Sequence, residues 1–88
     1  MTNDRPAAEW TFDVFMEMRF SGKKTWFVRA TNNDTNVYWV KKDGYDEPLS
    51  ARELATSLQV KHGHQAAYSP MFQGREWDRR GVLPVFPG

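Results

Sequence analysis

Six basic side chains stand between residues 19 and 42 against a single acid: Arg19, Lys23, Lys24, Arg29, Lys41 and Lys42 against Asp34. The flanks have the opposite bias, with four acids and one base in residues 1–18 and again in residues 43–53. A local field of one sign attracts an oppositely charged partner even when the net charge is only +1. Phe27 and Tyr38 fall within the same stretch. Bases supply salt-sensitive attraction to phosphates, and aromatic rings or Arg planes stack on nucleobases. The candidate nucleic-acid contacts are therefore Arg19, Lys23, Lys24, Phe27, Arg29, Tyr38 and Lys42. The competing reading balances these bases with nearby acids, as ordinary solvated surface.

Other chemistry finds little footing. His62-Gly63-His64 brings two imidazoles close together, but a zinc site needs three or four ligands. There is no cysteine, and no carboxylate stands at a telling spacing from the pair, so no metal site is expected. Ser69, His64 and Asp78 are the right types for nucleophilic catalysis, yet nothing in the sequence brings them together. No glycine-rich phosphate loop and no paired-carboxylate pattern occurs. The expectation is a protein without enzymatic activity and without a cofactor. A different candidate surface lies near the C-terminus. Trp77 precedes the apolar run Gly81–Gly88, and such a segment must pack back on its own domain or dock on another chain. Trp77, Val82, Leu83, Val85 and Phe86 form this second, protein-binding set.

The elements that must position these residues read as strands followed by a helix. Trp10 to Phe20 alternates, with Trp10, Phe12, Val14, Met16, Met18 and Phe20 on one side, which is the period of a half-buried strand. Ser21-Gly22-Lys23 supplies a tight turn, and Gly22 tolerates the positive φ that a short hairpin needs. A second strand covers Lys24 to Ala30 and a third Asn36 to Lys42, separated by the polar turn formers Thr31–Thr35 and stopped by Asp43-Gly44. The spacing predicts a helix from Ser50, with Ser50 as cap, Glu53 completing a capping box and Leu49–Leu54 a hydrophobic staple. Its apolar stripe is Ala51, Leu54, Ala55 and Leu58, and Gly63 ends it behind Lys61 and His62. Residues 1–8 read as a loose tail. Residues 64–88 read as irregular chain with room for one short strand, because Pro70, Gly74, Gly81, Pro84 and Pro87 interrupt them.

A three-residue turn at Ser21–Lys23 pairs Phe20 with Lys24, Met16 with Val28 and Val14 with Ala30. Pairing Ala30 with Val37 adds the third strand. One face is then Trp10, Phe12, Val14, Met16, Met18, Trp26, Val28, Val37 and Trp39, a core for the helix to cover. The other is Phe15, Glu17, Arg19, Phe27, Arg29, Tyr38, Val40 and Lys42, where aromatics and bases mix. Either this second face binds a partner, or the C-terminal segment covers it as a small second core.

Ser21-Gly22-Lys23-Lys24-Thr25-Trp26-Phe27-Val28-Arg29, followed by Leu49-Ser50-Ala51-Arg52-Glu53-Leu54-Ala55, resembles the N-terminal arm-type DNA-binding domain of phage tyrosine integrases. The resemblance covers roughly residues 15–63. It implies three strands and a helix, a sheet that binds DNA, and Lys24, Arg29 and Lys42 as contacts. The chain has no room for the family's catalytic domain, so recombinase activity is not implied, and the residues after Gly63 depart from the pattern.

The reading is thus one α+β domain: a three-stranded antiparallel sheet packed on one short helix, with an irregular C-terminal segment. Eighty-eight residues with 40% apolar and 15% aromatic content suffice for one core. The N-terminal residues lack the order of a signal peptide, and no apolar run approaches the length of a membrane helix. With no cysteine, this fits a cytoplasmic protein that does not engage membranes. Nucleic-acid binding through the basic, aromatic face leads. A compact inhibitor or accessory factor, of the kind phages and plasmids direct at a host or defence protein, is the alternative. An oligomeric structural protein is the third reading, and homodimer formation is left open.

Overall fold

The computed structural model describes residues 8–84, without the side chains of residues 71–73. Three strands, β1 (Trp10–Met18), β2 (Lys24–Asn32) and β3 (Val37–Lys41), precede the helix α1 (Pro48–His62). A 3-10 helix (Pro70–Glu76) then leads into a fourth strand, β4 (Trp77–Val82). The sheet is antiparallel throughout, in the order β1-β2-β3-β4. The expectation of three strands and an irregular C-terminal segment is corrected here. Residues 77–82 extend the sheet at its β3 edge and do not lie across a face. β4 escapes a pattern search because its middle is Asp78-Arg79-Arg80, and an edge strand needs no alternation of apolar residues.

The β1–β2 turn has the expected length but sits one residue earlier. Gly22 N donates to Arg19 O over 2.8 Å, Arg19 N donates to Lys23 O over 2.8 Å, and Gly22 takes φ 84°. This is the three-residue hairpin with glycine in the left-handed position. Met16 therefore faces Trp26 and Val14 faces Val28, two residues away from the expected register. The β2–β3 register is displaced likewise, with Ala30 opposite Trp39. Because side chains alternate with a period of two, a slip of two leaves every residue on its expected face. In the second turn Asn32 Oδ1 accepts from the N–H groups of Asp34 and Thr35 at 2.9 and 3.2 Å, and Asn36 supplies the left-handed φ of 62°.

Helix α1 begins earlier than its sequence signals suggest. Pro48 occupies the first turn, and Glu47 before it is extended, as a residue preceding proline prefers. No side-chain cap bond forms, so Ser50 lies inside the helix and caps nothing. Leu49 is exposed, so the staple is absent as well. The apolar stripe is where it was expected. Ala51 and Ala55 are buried against the sheet, flanked by partly buried Leu54 and Leu58. Their small size lets the helix approach Trp10, Phe12, Val28 and Ala30, which with Trp77 complete the core. Trp26 and Trp39 pack at its margin.

Gly63 ends the helix by close approach rather than by a left-handed turn, since its φ is −56°. A Cβ there would collide with the side-chain amide of Gln59. Gly63 O accepts from Glu9 N at 2.6 Å and Trp10 N at 2.9 Å. The Gln59 amide meanwhile donates to Trp10 O and accepts from Phe12 N, both at 2.9 Å. One side chain thus serves as a short substitute strand along the outer edge of β1.

Candidate functional site

Alternation places Asp13, Phe15 and Glu17 of β1, Thr25, Phe27, Arg29 and Thr31 of β2, and Tyr38 and Val40 of β3 on the face away from α1. Tyr68, from the segment after the helix, packs on Trp10 and Phe12 and so belongs to the helix side. The other face is left open by the helix, yet its centre is dry. Phe27 is 3% exposed and Val40 0%.

Side chains of the face itself, with the backbone at Gly44 beside the Phe27 ring, provide cover. Asp13 and Arg29 stand directly opposite each other and form a two-pronged pair, Nε to Oδ1 at 2.9 Å and Nη2 to Oδ2 at 2.6 Å. The guanidinium lies 5.3 Å from the centre of the Phe15 ring and 6.0 Å from that of Tyr38. Phe15 in turn stacks on Phe27 at 5.8 Å, and Arg19 lies 5.9 Å from the Phe27 ring. Cations and rings therefore form one continuous row, Arg19, Phe27, Phe15, Arg29 and Tyr38, with the stacked Phe27–Phe15 pair between the two arginines. The hydrogen bond to Asp13 raises the Arg29 pKa above its ordinary value, against the opposing effect of burial and with help from the charges of Asp13 and Tyr38. Its positive charge is permanent, and two of its donors are committed.

Other bases of the stretch also have carboxylate partners. Lys42 Nζ lies 3.5 Å from Asp78, Lys23 Nζ 3.1 Å from Asp46, and Lys41 Nζ 3.9 Å from Asp43. Arg80 of β4 reaches Glu17 of β1 at 3.5 Å. That contact joins the two edge strands over the open face, as the twist of a sheet allows at opposite corners.

The candidate residues are thus divided. Arg19, Arg29 and Tyr38 share the open face. Lys24 alternates to the helix side, opposite Met18, so it does not join them. Lys23 lies at the hairpin turn and Lys42 just beyond β3, each with its acid. Phe27 belongs to the face but lies beneath Phe15 and Arg19, so its ring is not available for stacking on a base. In the second set, Trp77 is 6% exposed and part of the core, because β4 turns its first side chain toward the helix side; it offers no docking surface. Val82 is exposed at the end of β4, and Leu83 N donates to Asn36 O at 2.9 Å. Val85 and Phe86 lie outside the described residues. His62 stacks on Tyr68 at 4.2 Å and meets Gln65 at 2.8 Å, whereas His64 is exposed.

The acids Asp13, Glu17 and Asp78 were not among the expected site residues. Asp13 was recoverable, since an acid and a base that can meet across two strands fix a register. Comparison with known protein families, with curated proteins and with solved structures finds no match.

Proposed function

We propose that the chain is a non-enzymatic protein-binding module of the inhibitor or accessory-factor class, and that the open sheet face is its recognition surface. One observation carries this reading. Arg29, Lys42 and Arg80 each have a carboxylate partner, in Asp13, Asp78 and Glu17. With these three cations neutralised and Arg19 the one base of the face left without a carboxylate among the described residues, the face attracts a polyanion weakly, because phosphate binding draws its energy from unpaired bases that release counterions. The same surface suits a protein partner of mixed charge. Arg and aromatic residues are enriched at protein interfaces, and Arg29 between Phe15 and Tyr38 is held rigid before binding.

Nucleic-acid binding is the second reading, and a specific observation favours it. Arg19 and Lys24 flank the β1–β2 hairpin, and no carboxylate pairs with either among the described residues. Together with Lys23 they make a basic ribbon end of the sort that enters a DNA groove. The likeness to integrase arm-type domains points the same way.

The test compares the native chain with Tyr38→Ala and Phe15→Ala variants as bait in nuclease-treated lysate of the source organism. Direct binding of the captured protein follows. Capture that survives nuclease, and is lost with Tyr38→Ala while the urea midpoint holds, supports the reading. Binding only to DNA or RNA, with the logarithm of affinity falling as the logarithm of salt rises, overturns it in favour of the second.

A further inference from the structure

β1 is an edge strand with its two halves finished differently. Odd-numbered residues of β1 direct their backbone groups at β2, as the bonds Asn33 N to Glu9 O and Arg19 N to Lys23 O show. Even-numbered residues direct theirs outward. Trp10 and Phe12 are closed off by Gly63 and Gln59. The outward groups of Val14, Met16 and Met18 have no partner among the described residues. Along this open half, Met16 is 43% and Met18 62% exposed, and Phe20 at the turn is wholly so. The opposite edge, β4, is guarded by charged side chains and a bulge at Tyr38/Trp39.

We infer that the open half of β1 pairs with the same segment of a second copy, giving a twofold dimer whose sheet is continuous. The side chains select the register. With the twofold axis at Met16, Met18 of one copy faces Val14 of the other, and Arg19 faces Asp13. Each of the three free residues then meets another free residue, and such pairs exchange two backbone hydrogen bonds. Moving the axis to Phe15 sets Asp13 against Glu17, and moving it to Glu17 sets that residue against itself. Like charges directly opposite are destabilising. Moving the axis to Val14 requires Phe12 N, which Gln59 already holds. The Met16 register also brings Phe20 opposite Phe12 of the other copy. There a groove between β1 and α1, lined by Phe12, Val14, Ala55 and Val60 together with four polar residues, is open to receive it.

The two helices lie on the same side of the joined sheet, each running back along its own β1 from Ala55 beside Val14 to Gly63 beside Trp10. Phe12 and its counterpart are eight residues apart along the seam, or roughly 26 Å. The dimer sets the two open faces side by side. It uses the edge of β1 and stands whether or not those faces recognise a protein.

Sedimentation velocity of the full chain, from micromolar to millimolar concentration, tests the inference. A concentration-dependent dimer is expected. Met16→Lys places like charges across the axis on an exposed side chain and should weaken dimerisation at least tenfold with the circular dichroism unchanged. Because the native chain has no cysteine, Met16→Cys with a short bismaleimide reads the register directly. Position 16 should link to itself efficiently and Ser57→Cys, on the exposed side of α1, should not. A monomer at millimolar concentration overturns the inference. So does a dimer that withstands Met16→Lys, or one in which position 57 links as well as position 16. If Met16→Lys fails to fold, the cysteine pair alone decides.

Discussion

On the helix side of the sheet, Val28 and Ala30 are buried beneath Ala51 and Ala55 of another element. On the open side, Phe27 and Val40 are buried as deeply with no helix above them. The first face is dry because a second layer covers it. The second is dry because long side chains lie down across it, anchored where they meet opposite charges. Arg29 covers apolar surface with its stem and holds its head on Asp13, and Phe15 shields Phe27. A two-layer domain can therefore keep one face free for recognition without exposing a large apolar patch.

If the open face is a true second core, truncating either face should cost alike. Phe12→Ala and Phe27→Ala should each destabilise by about 3–5 kcal/mol in urea titrations. A cost for Phe27→Ala near that of an exposed residue would break the comparison. Gly44→Ala should follow, at about 1–3 kcal/mol of overpacking. Its Cβ would collide with Thr25 Cγ2 and sit 2.9 Å from Phe27 Cε1. The Tyr45–Trp26 bridge, with bonds of 2.8 and 2.9 Å, keeps the backbone from retreating. A neutral result would mean that the rim of the open face is loose.

Much of this architecture is legible in the residues, and the failures have identifiable causes. The alternation of β1 and β2 assigns the two faces correctly even though both registers are two residues off. Parity survives such a slip; ion pairs do not. In the expected register Asp13 faces Thr31, and the pair with Arg29 disappears from view. The helix stripe is legible because Ala51, Leu54, Ala55 and Leu58 recur at helical spacing. Its start is not, because Pro48 at the first turn fixes the backbone and outcompetes the Ser50 capping box. β4 is the largest omission. It supplies Asp78 and Arg80, two of the charges that decide how the open face reads, and its sequence carries no strand period.

The charge pairs on the open face differ in what they hold. Lys42 and Asp78 are each about half exposed, at 45% and 50%. Lys42→Ala should cost no more than about 0.2–1 kcal/mol, and less at high salt. Arg29→Ala removes packing over Phe15 as well as the bond to Asp13, and should cost clearly more in the same titration. Equal costs would mean that the row of rings and cations is not a cover.

The smallest expected effect separates the faces by pH. Tyr68, on the helix side, has its pKa raised above 10.0, first by burial and then by the charge of Glu76. Its neutral form is the one the fold favours. The stability it contributes is therefore fully present below pH 10 and is lost as pH rises through the folded-state value. Arg29, on the open side, is also raised, so its contribution persists until still more alkaline conditions. Tyr68→Phe removes the ionising hydroxyl while keeping a ring against Trp10 and His62. Urea midpoints measured from pH 8 to 11.5 should fall more steeply above pH 10 for the native chain than for Tyr68→Phe. Parallel curves would place the hydroxyl in solvent and detach the segment after α1 from the helix side. A steeper fall in Tyr68→Phe would reverse the sign of the argument.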